Sequence, residues 1–251
     1  VEAFRGSAET SRDAGSMIEA EVKTTLAWLK RRGTKANREG MARYAIRSEK
    51  VFGVSVATLR QRAKILGRNH ELASALWDTE WYEARMLAAF VDEPARVTPA
   101  QMDRWSREFD NWAICDTACF HLFDRTPHAF KKAAAWAGRK DEFVKRAAFA
   151  LLASLALHDK SSPDAPFVRG LASIERESTD ERNFVKKAVN WALRSIGGCR
   201  PGLHASALDL ARRLAASPDK TARWIGKGAV RQLGSPAVAR RLAARAAQGK
   251  R

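Results

Sequence analysis

Apolar side chains recur every three or four residues along most of this chain. Met17, Ile18, Val22, Leu26 and Leu29 keep close to a 3.6-residue period and predict a helix over 17–32. Gly33 stands where a glycine ends such a helix. A second helix is predicted over 38–50, with Met41, Tyr44, Ala45 and Phe52 as its apolar positions, and Gly53-Val54-Ser55 reads as a turn. Ser55 or Thr58 can cap the helix that follows, which runs to about Leu66. No stretch alternates apolar and polar residues for long enough to make a strand. Prolines 94, 99, 127, 163, 166, 201, 218 and 236 fall at breaks between helical patterns, where a missing N–H costs least. The pattern predicts an all-α protein.

In the second half the pattern repeats. Phe143-Val-Lys-Arg-Ala-Ala lines up with Phe184-Val-Lys-Lys-Ala-Val and more loosely with Trp224-Ile-Gly-Lys-Gly-Ala. The aromatic leaders are 41 and then 40 residues apart, and Trp112 and Trp81 are weaker members, each 31 residues earlier. Acidic residues precede each leader (Asp141-Glu142, Asp180-Glu181, Asp219) and are expected to cap the helices. A spacing near 40 with paired helices is the period of HEAT or armadillo repeats, which stack into a curved solenoid because no single pair can bury its apolar face. The expected fold is a right-handed α-solenoid of HEAT-like repeats with a concave basic face. It forms one domain over 1–251, with 1–16 a candidate for disorder and 235–251 a basic tail. The third residue after each leader is Arg146, Lys187 and Lys227. In that register they form a basic ladder suited to successive phosphates, the alternative being a solvated helix face.

Charge sharpens this picture. The net charge is +17, and it is sorted along the chain. Residues 31–70 carry 11 Lys/Arg against 2 Asp/Glu, and residues 182–251 carry 16 against 2, whereas residues 71–181 carry 14 against 19. Two basic arms around a slightly acidic centre point to a polyanionic partner, nucleic acid above all. No run of about 18 apolar residues predicts a membrane span. The N-terminal Val1-Glu-Ala-Phe-Arg lacks the apolar core of a secretory signal, and three cysteines (Cys115, Cys119, Cys199) do not make a disulfide framework. A cytoplasmic, nucleoid-associated protein in a bacterial cell is the expectation.

Within the non-basic centre lies Asp110-Asn-Trp-Ala-Ile-Cys-Asp-Thr-Ala-Cys-Phe-His-Leu-Phe123. Asp110 can cap a helix here, and Trp112 and Asp116, four apart, share one face of it. A carboxylate beside an aromatic plane can stabilise a cationic ligand or transition state. The plainer alternative is a core tryptophan and a solvated aspartate.

These pieces resemble the AlkD-type DNA alkylation repair glycosylases, a family built from HEAT-like repeats. The similarity is carried by Met41-Ala-Arg-Tyr44, Phe52-Gly-Val, Leu76-Trp77 and Trp81-Tyr-Glu-Ala-Arg85. More specific still are Trp112-Ala-Ile-Cys-Asp116, Val144-Lys-Arg-Ala-Ala148 and Lys187-Ala-Val-Asn-Trp191-Ala-Leu-Arg194. The resemblance spans about 41–197 and is weak before 41 and after about 234. It implies that the family's aromatic–aspartate pair falls on Trp112 and Asp116, its basic residue on Arg146 and its second aromatic on Trp191. The substrate class it implies is double-stranded DNA containing cationic alkylated purines such as 3-methyladenine or 7-methylguanine. Such a base is already a good leaving group. Asp116 would then stabilise the oxocarbenium-like sugar and orient water, with Trp112 and Trp191 against the sugar–phosphate and Arg146 on a neighbouring phosphate. The paired carboxylates of a sugar hydrolase are not evident. DNA contacts are expected from Lys145, Arg146, Lys186, Lys187, Arg194, Lys227 and Arg231.

Other chemistry is poorly supported. Cys115, Cys119 and His121 lack zinc spacing, so no metal is expected, and His70, His128, His158 and His204 are isolated along the chain. No Gly-x-Gly-x-x-Gly, Walker A or zinc-deaminase sequence is present, so no cofactor is expected. Lys145, Lys186 or Lys187 could form a Schiff base, but each lies in a basic string that suits phosphate better. The tryptophans at 28, 77, 81, 105, 136 and 224 are expected to pack between repeats. The reading is a monomeric, monofunctional glycosylase; the alternative is a non-catalytic HEAT-like protein that grips branched or damaged DNA.

Overall fold

The computed structural model describes residues 2–46 and 48–248, with side chains described for 15–46, 48–245 and 247. Among them are fourteen α-helices and no strand. They are α1 (Glu2–Arg32), α2 (Lys35–Arg43), α3 (Val56–Leu66), α4 (His70–Asp78), α5 (Tyr82–Val91), α6 (Pro99–Arg107) and α7 (Trp112–His121). There follow α8 (Ala129–Trp136), α9 (Glu142–His158), α10 (Ala165–Arg176), α11 (Asn183–Cys199), α12 (His204–Ala215), α13 (Lys220–Leu233) and α14 (Pro236–Gln248). Of the segment expected to be a candidate for disorder, residue 1 and the side chains of 2–14 lie outside the described residues, as do residues 249–251 of the expected basic tail. The chain divides into two compact units, 1–97 and 98–251.

In the first unit α5 packs against α3 and α4, and α1 against α4. Its connecting loop hangs on Glu83, a fully buried carboxylate that accepts N–H bonds from Phe52 (3.0 Å), Gly53 (2.6 Å) and Val54 (3.1 Å). Three donors on one carboxylate satisfy a charge that burial would otherwise leave costly. Phe52 also stacks on Trp81, ring centroids 3.9 Å apart. Gly33 follows α1 as expected, but for a different reason: a Cβ there would lie 2.2 Å from the Phe52 carbonyl oxygen. The helix predicted over 38–50 is shorter. It begins at Lys35, capped by Thr34, and ends at Arg43, because Ala45 takes a left-handed φ of 56° that no helix continues through. Ser55 rather than Thr58 caps α3, its oxygen accepting the Thr58 N–H at 3.2 Å.

The second unit carries the repeats. Helices α7, α9, α11 and α13 pack one on the next and form a layer; α8, α10 and α12 pack against α9, α11 and α13 respectively. The layer helices are apolar on the sides that meet their neighbours. Phe149, Ala153, Val189, Leu193 and Ile225 are fully buried, each large aliphatic or aromatic side chain contributing about 1.5–3 kcal/mol. The leaders Phe143 and Phe184 meet across α9 and α11 with ring centroids 5.4 Å apart, so the 41-residue repeat is a real structural register. The third leader departs from it: Trp224 is 48% exposed, and the expectation that it packs between repeats is corrected. Capping also departs from expectation. Asp219 caps α13 through the Thr221 and Ala222 N–H groups, but Asp141 makes no side-chain cap bond. Asp180 lies before the α11 cap residue Arg182 and accepts from the Arg182 N–H and from the Arg182 and Lys145 side chains.

Candidate active site

Helix α7 is short because loops hold both its ends. Asn111, not Asp110, caps it: the Asn111 oxygen accepts the Ala113 and Ile114 N–H groups at 3.0 Å each, while Asp110 accepts from the Asn111 amide at 2.7 Å. Beneath the helix Ile114, Cys115, Ala118 and Cys119 are buried against α9. Both thiols donate to α9 carbonyls, Cys115 to Phe143 (3.7 Å) and Cys119 to Ala147 (3.6 Å). Burial pushes the Cys119 thiol well above its usual pKa, which makes it a poor nucleophile.

On the other side, Trp112, Asp116 and Phe120 stand four apart in a half-buried row. Arg146 of α9 holds this row together. Its Nε and Nη2 donate to the two oxygens of Asp116 at 2.9 and 2.7 Å, and its Nη1 donates to the Phe184 carbonyl of α11 at 2.8 Å. The guanidinium carbon lies 6.0 Å from the centre of the Trp112 ring. Burial raises the Asp116 carboxyl above its ordinary value, and the Arg146 charge opposes that rise. Burial is the largest influence on Arg146 and lowers it, but the charge and hydrogen bonds of Asp116, with smaller help from Cys115 and Cys119, together outweigh it, so the guanidinium is held more firmly charged than usual. Since Arg146 stays charged, the carboxylate has a fixed cationic partner.

Arg146 was expected on a DNA phosphate. It is only 6% exposed and its donors go to Asp116 and Phe184, so its place is behind the carboxylate. Lys145 departs further from expectation. It is buried, and its ammonium binds Glu177 at 2.7 Å and Asp180 at 3.1 Å, which leaves no phosphate-facing charge. With Arg146 turned to Asp116 and Phe184, the expected ladder of Arg146, Lys187 and Lys227 lacks its first rung.

Trp191 of α11 lies flat on Phe120, centroids 4.7 Å apart and planes within 4°. Phe120 is a residue that sequence reasoning missed, although its spacing from Trp112 and Asp116 was there to be read. Lys187, Trp191 and Arg194 follow one another along one side of α11 at helical spacing, and Trp224, Lys227 and Arg231 do so on α13. Lys187, Lys227 and Arg231 are exposed, and Lys186 is half-buried with its ammonium 5.8 Å from the Trp224 ring. The structure thus gathers Trp112, Asp116 and Arg146 into one cluster and Phe120 with Trp191 into another one turn along α7. Arg194, Lys227 and Arg231 line one groove farther along the layer, and Lys186 lies against the Trp224 ring at its edge.

Three histidines expected to be isolated have partners. His158 Nδ1 lies 2.6 Å from Asp124, His70 Nδ1 2.6 Å from Asp92, and His204 Nδ1 2.9 Å from the Gly197 carbonyl. Ser154 also approaches His158, but on the same Nδ1 that meets Asp124, so the three do not form a proton relay. No group of three His, Cys, Asp or Glu among the described residues is placed to hold a metal ion. No helix among them is long and apolar enough to cross a membrane.

The model of a family described as "DNA alkylation repair enzyme" matches residues 25–233. One similar solved structure is described as "A new family of proteins related to the HEAT-like repeat DNA glycosylases with affinity for branched DNA structures". It has a TM-score of 0.72 and 22% identity, over 84% of this chain and 95% of that one. Another, smu.31 from Streptococcus mutans UA159, has a TM-score of 0.52 and 17% identity, over 69% of this chain and 90% of that one. These likenesses carry the fold: the all-α, HEAT-like solenoid expected from the repeat is the one observed. No curated protein matches the chain.

Proposed function

The chain belongs to the DNA alkylation repair enzyme family, and from that premise we propose that it is a monofunctional DNA glycosylase for cationic alkylated purines. The observation that carries the reading is Asp116, a carboxylate bound through both oxygens by a guanidinium that also lies over the Trp112 ring, in a strongly basic protein. Duplex DNA lies along the layer of α7, α9, α11 and α13, with phosphates on Lys187, Lys227 and Arg231.

The reaction needs little from the protein. The bond between C1′ and the purine nitrogen breaks with its electron pair moving to the base, which thereby loses its positive charge. Water attacks C1′, and its proton passes to Asp116 and then to solvent. The products are the free methylated base and an abasic site. Asp116 faces the positive charge that grows on the sugar, and Arg146 keeps both its oxygens in place, so no reorganisation is needed as that charge develops. Trp112 and Trp191 supply π-faces to the sugar, each attracting its developing positive charge by roughly 0.5–2 kcal/mol. Arg146 acts through Asp116 and is a positioning residue.

A second reading has its own support. Both Asp116 oxygens are already occupied by Arg146, and the 22%-identical relative is described by its affinity for branched DNA. On that reading the cluster is structural and the protein only binds DNA.

Base release from DNA carrying 7-methylguanine separates the two. The proposal expects release by the wild type and a loss on the order of 10²–10³-fold for Asp116→Asn, with duplex binding kept. No release by the wild type, with duplex binding intact, would leave the binding protein.

A further inference from the structure

The basic end of the α11–α13 layer encloses a groove of about 310 Å³, lined by Asn190, Arg194, Trp224, Lys227 and Arg231 among others, and none of its lining residues is acidic. Its floor is rigid. The buried Asn190 amide donates to the Ile225 carbonyl at 2.9 Å, and Arg194 donates to the Asn190 oxygen at 3.2 Å. Arg194 nevertheless keeps a buried Nε without an acceptor. Burial, and the neighbouring Arg231 charge, pull its pKa below the ordinary value. Among the described residues, none of Lys186, Arg194, Lys227 and Arg231 is in an ion pair with a carboxylate.

Trp224 stands at the edge of this groove, 48% exposed, with the Lys186 ammonium 5.8 Å from its ring. Its counterparts Phe143 and Phe184 are half-buried against each other, whereas the Trp224 indole is open to solvent over nearly half its surface. Cations alone would serve the backbone of a duplex, whose bases are already stacked. A half-exposed aromatic plane amid cations is what an unstacked base with flanking phosphates requires.

We propose that this groove is a second nucleic-acid site, distinct from the Asp116 cluster, in which an unpaired nucleotide stacks on Trp224 with its own phosphate on Arg194, where the strand leaves the duplex whose phosphates meet Lys227 and Arg231. The site favours DNA in which a duplex adjoins a single strand. The proposal rests on the DNA-binding part of the reading above and not on base excision.

The test compares a blunt duplex with the same duplex bearing a single-stranded extension of about six nucleotides, on either strand. The extended duplex should bind about tenfold more tightly than the blunt one. Trp224→Ala should abolish that difference and leave blunt-duplex affinity unchanged, and Trp224→Phe should keep most of it. With 2-aminopurine in the extension, its fluorescence should be quenched by the wild type and by Trp224→Phe but not by Trp224→Ala. Equal affinity for the two duplexes, or a preference that survives Trp224→Ala, overturns the second site. Failure to bind even the blunt duplex overturns the DNA reading itself, and base release from that duplex reports separately on excision.

Discussion

Arg146 grips both oxygens of Asp116 from the neighbouring helix and, through its remaining nitrogen, ties them to the Phe184 carbonyl on the helix beyond. One guanidinium thus links α7, α9 and α11 at the point where the chemistry is proposed. The pair is largely shielded from water, with side-chain exposures of 7% for Arg146 and 18% for Asp116. Removing one partner strands the other.

That sets the first prediction. Arg146→Ala should lower the unfolding free energy by about 3–5 kcal/mol, because it leaves a buried carboxylate without its cation. Replacing both, as Arg146→Met with Asp116→Leu, should recover most of that loss. Urea unfolding of Arg146→Met, Asp116→Leu and the double variant measures the coupling. A cost for Arg146→Ala no larger than about 1 kcal/mol would place the pair with ordinary surface ion pairs.

The cations divide into paired and unpaired, and salt dependence distinguishes them. Lys187, Lys227 and Arg231 face solvent, and each phosphate that is no longer neutralised should reduce the slope of log affinity against log salt by about 0.9. Their combined replacement by Ala should therefore flatten the slope by close to three such steps. Lys145→Ala should leave the slope where it is, since that ammonium is already bound by Glu177 and Asp180. A fall in slope with Lys145→Ala would restore it to the residues that meet DNA.

Much of this architecture could be read in the sequence, and the reasons for what could not are local. The 41-residue spacing of Phe143 and Phe184 announced the repeat, because a packed aromatic must recur wherever helix pairs stack in register. Trp112 and Asp116 announced a shared face through their four-residue spacing alone. The partner of a charge has no such periodic signature. Arg146 and Lys145 are adjacent and equally basic, yet a 100° turn of helix points one at Asp116 and the other at Glu177 and Asp180. Exposure was equally hidden at Trp224: the register that packs Phe184 on Phe143 gives no warning that its successor stands nearly half in water.

Low pH should loosen the α9–α11 junction. The Arg182 side chain, together with Lys145, holds the Asp180 carboxyl down to about 2 from an ordinary 3.8. The unfolded chain therefore binds the proton more readily than the native one. The stabilisation is complete above the ordinary value and is lost as pH falls towards about 2. Its size is on the order of 1–2 kcal/mol, allowing for the water that still reaches the group. Unfolding free energies at pH 5 and near pH 2.5 should differ less in Asp180→Asn than in the wild type. An equal difference in both would assign the acid sensitivity to other carboxylates.

The close approach of two repeat helices gives the last prediction. Gly226 of α13 faces the backbone of α12, and a Cβ placed on it would lie 2.1 Å from the Ala215 nitrogen and 2.5 Å from the Leu214 carbonyl carbon. Those neighbours are main chain, so no rotamer change can make room; the two helices must separate. Gly226 also costs helix propensity, about 1 kcal/mol against alanine, and an exposed glycine replaced by alanine would therefore gain stability. Here the steric term should win. Gly226→Ala is expected to destabilise by roughly 1–3 kcal/mol despite the better helix former. Gly138, where a Cβ meets nothing within 4 Å, is the control, and Gly138→Ala should be close to neutral. Because α13 also carries Trp224, Lys227 and Arg231, separation from α12 should weaken DNA binding as well as lower the melting temperature. A Gly226→Ala variant as stable as the wild type would mean that α12 and α13 do not approach as closely as described.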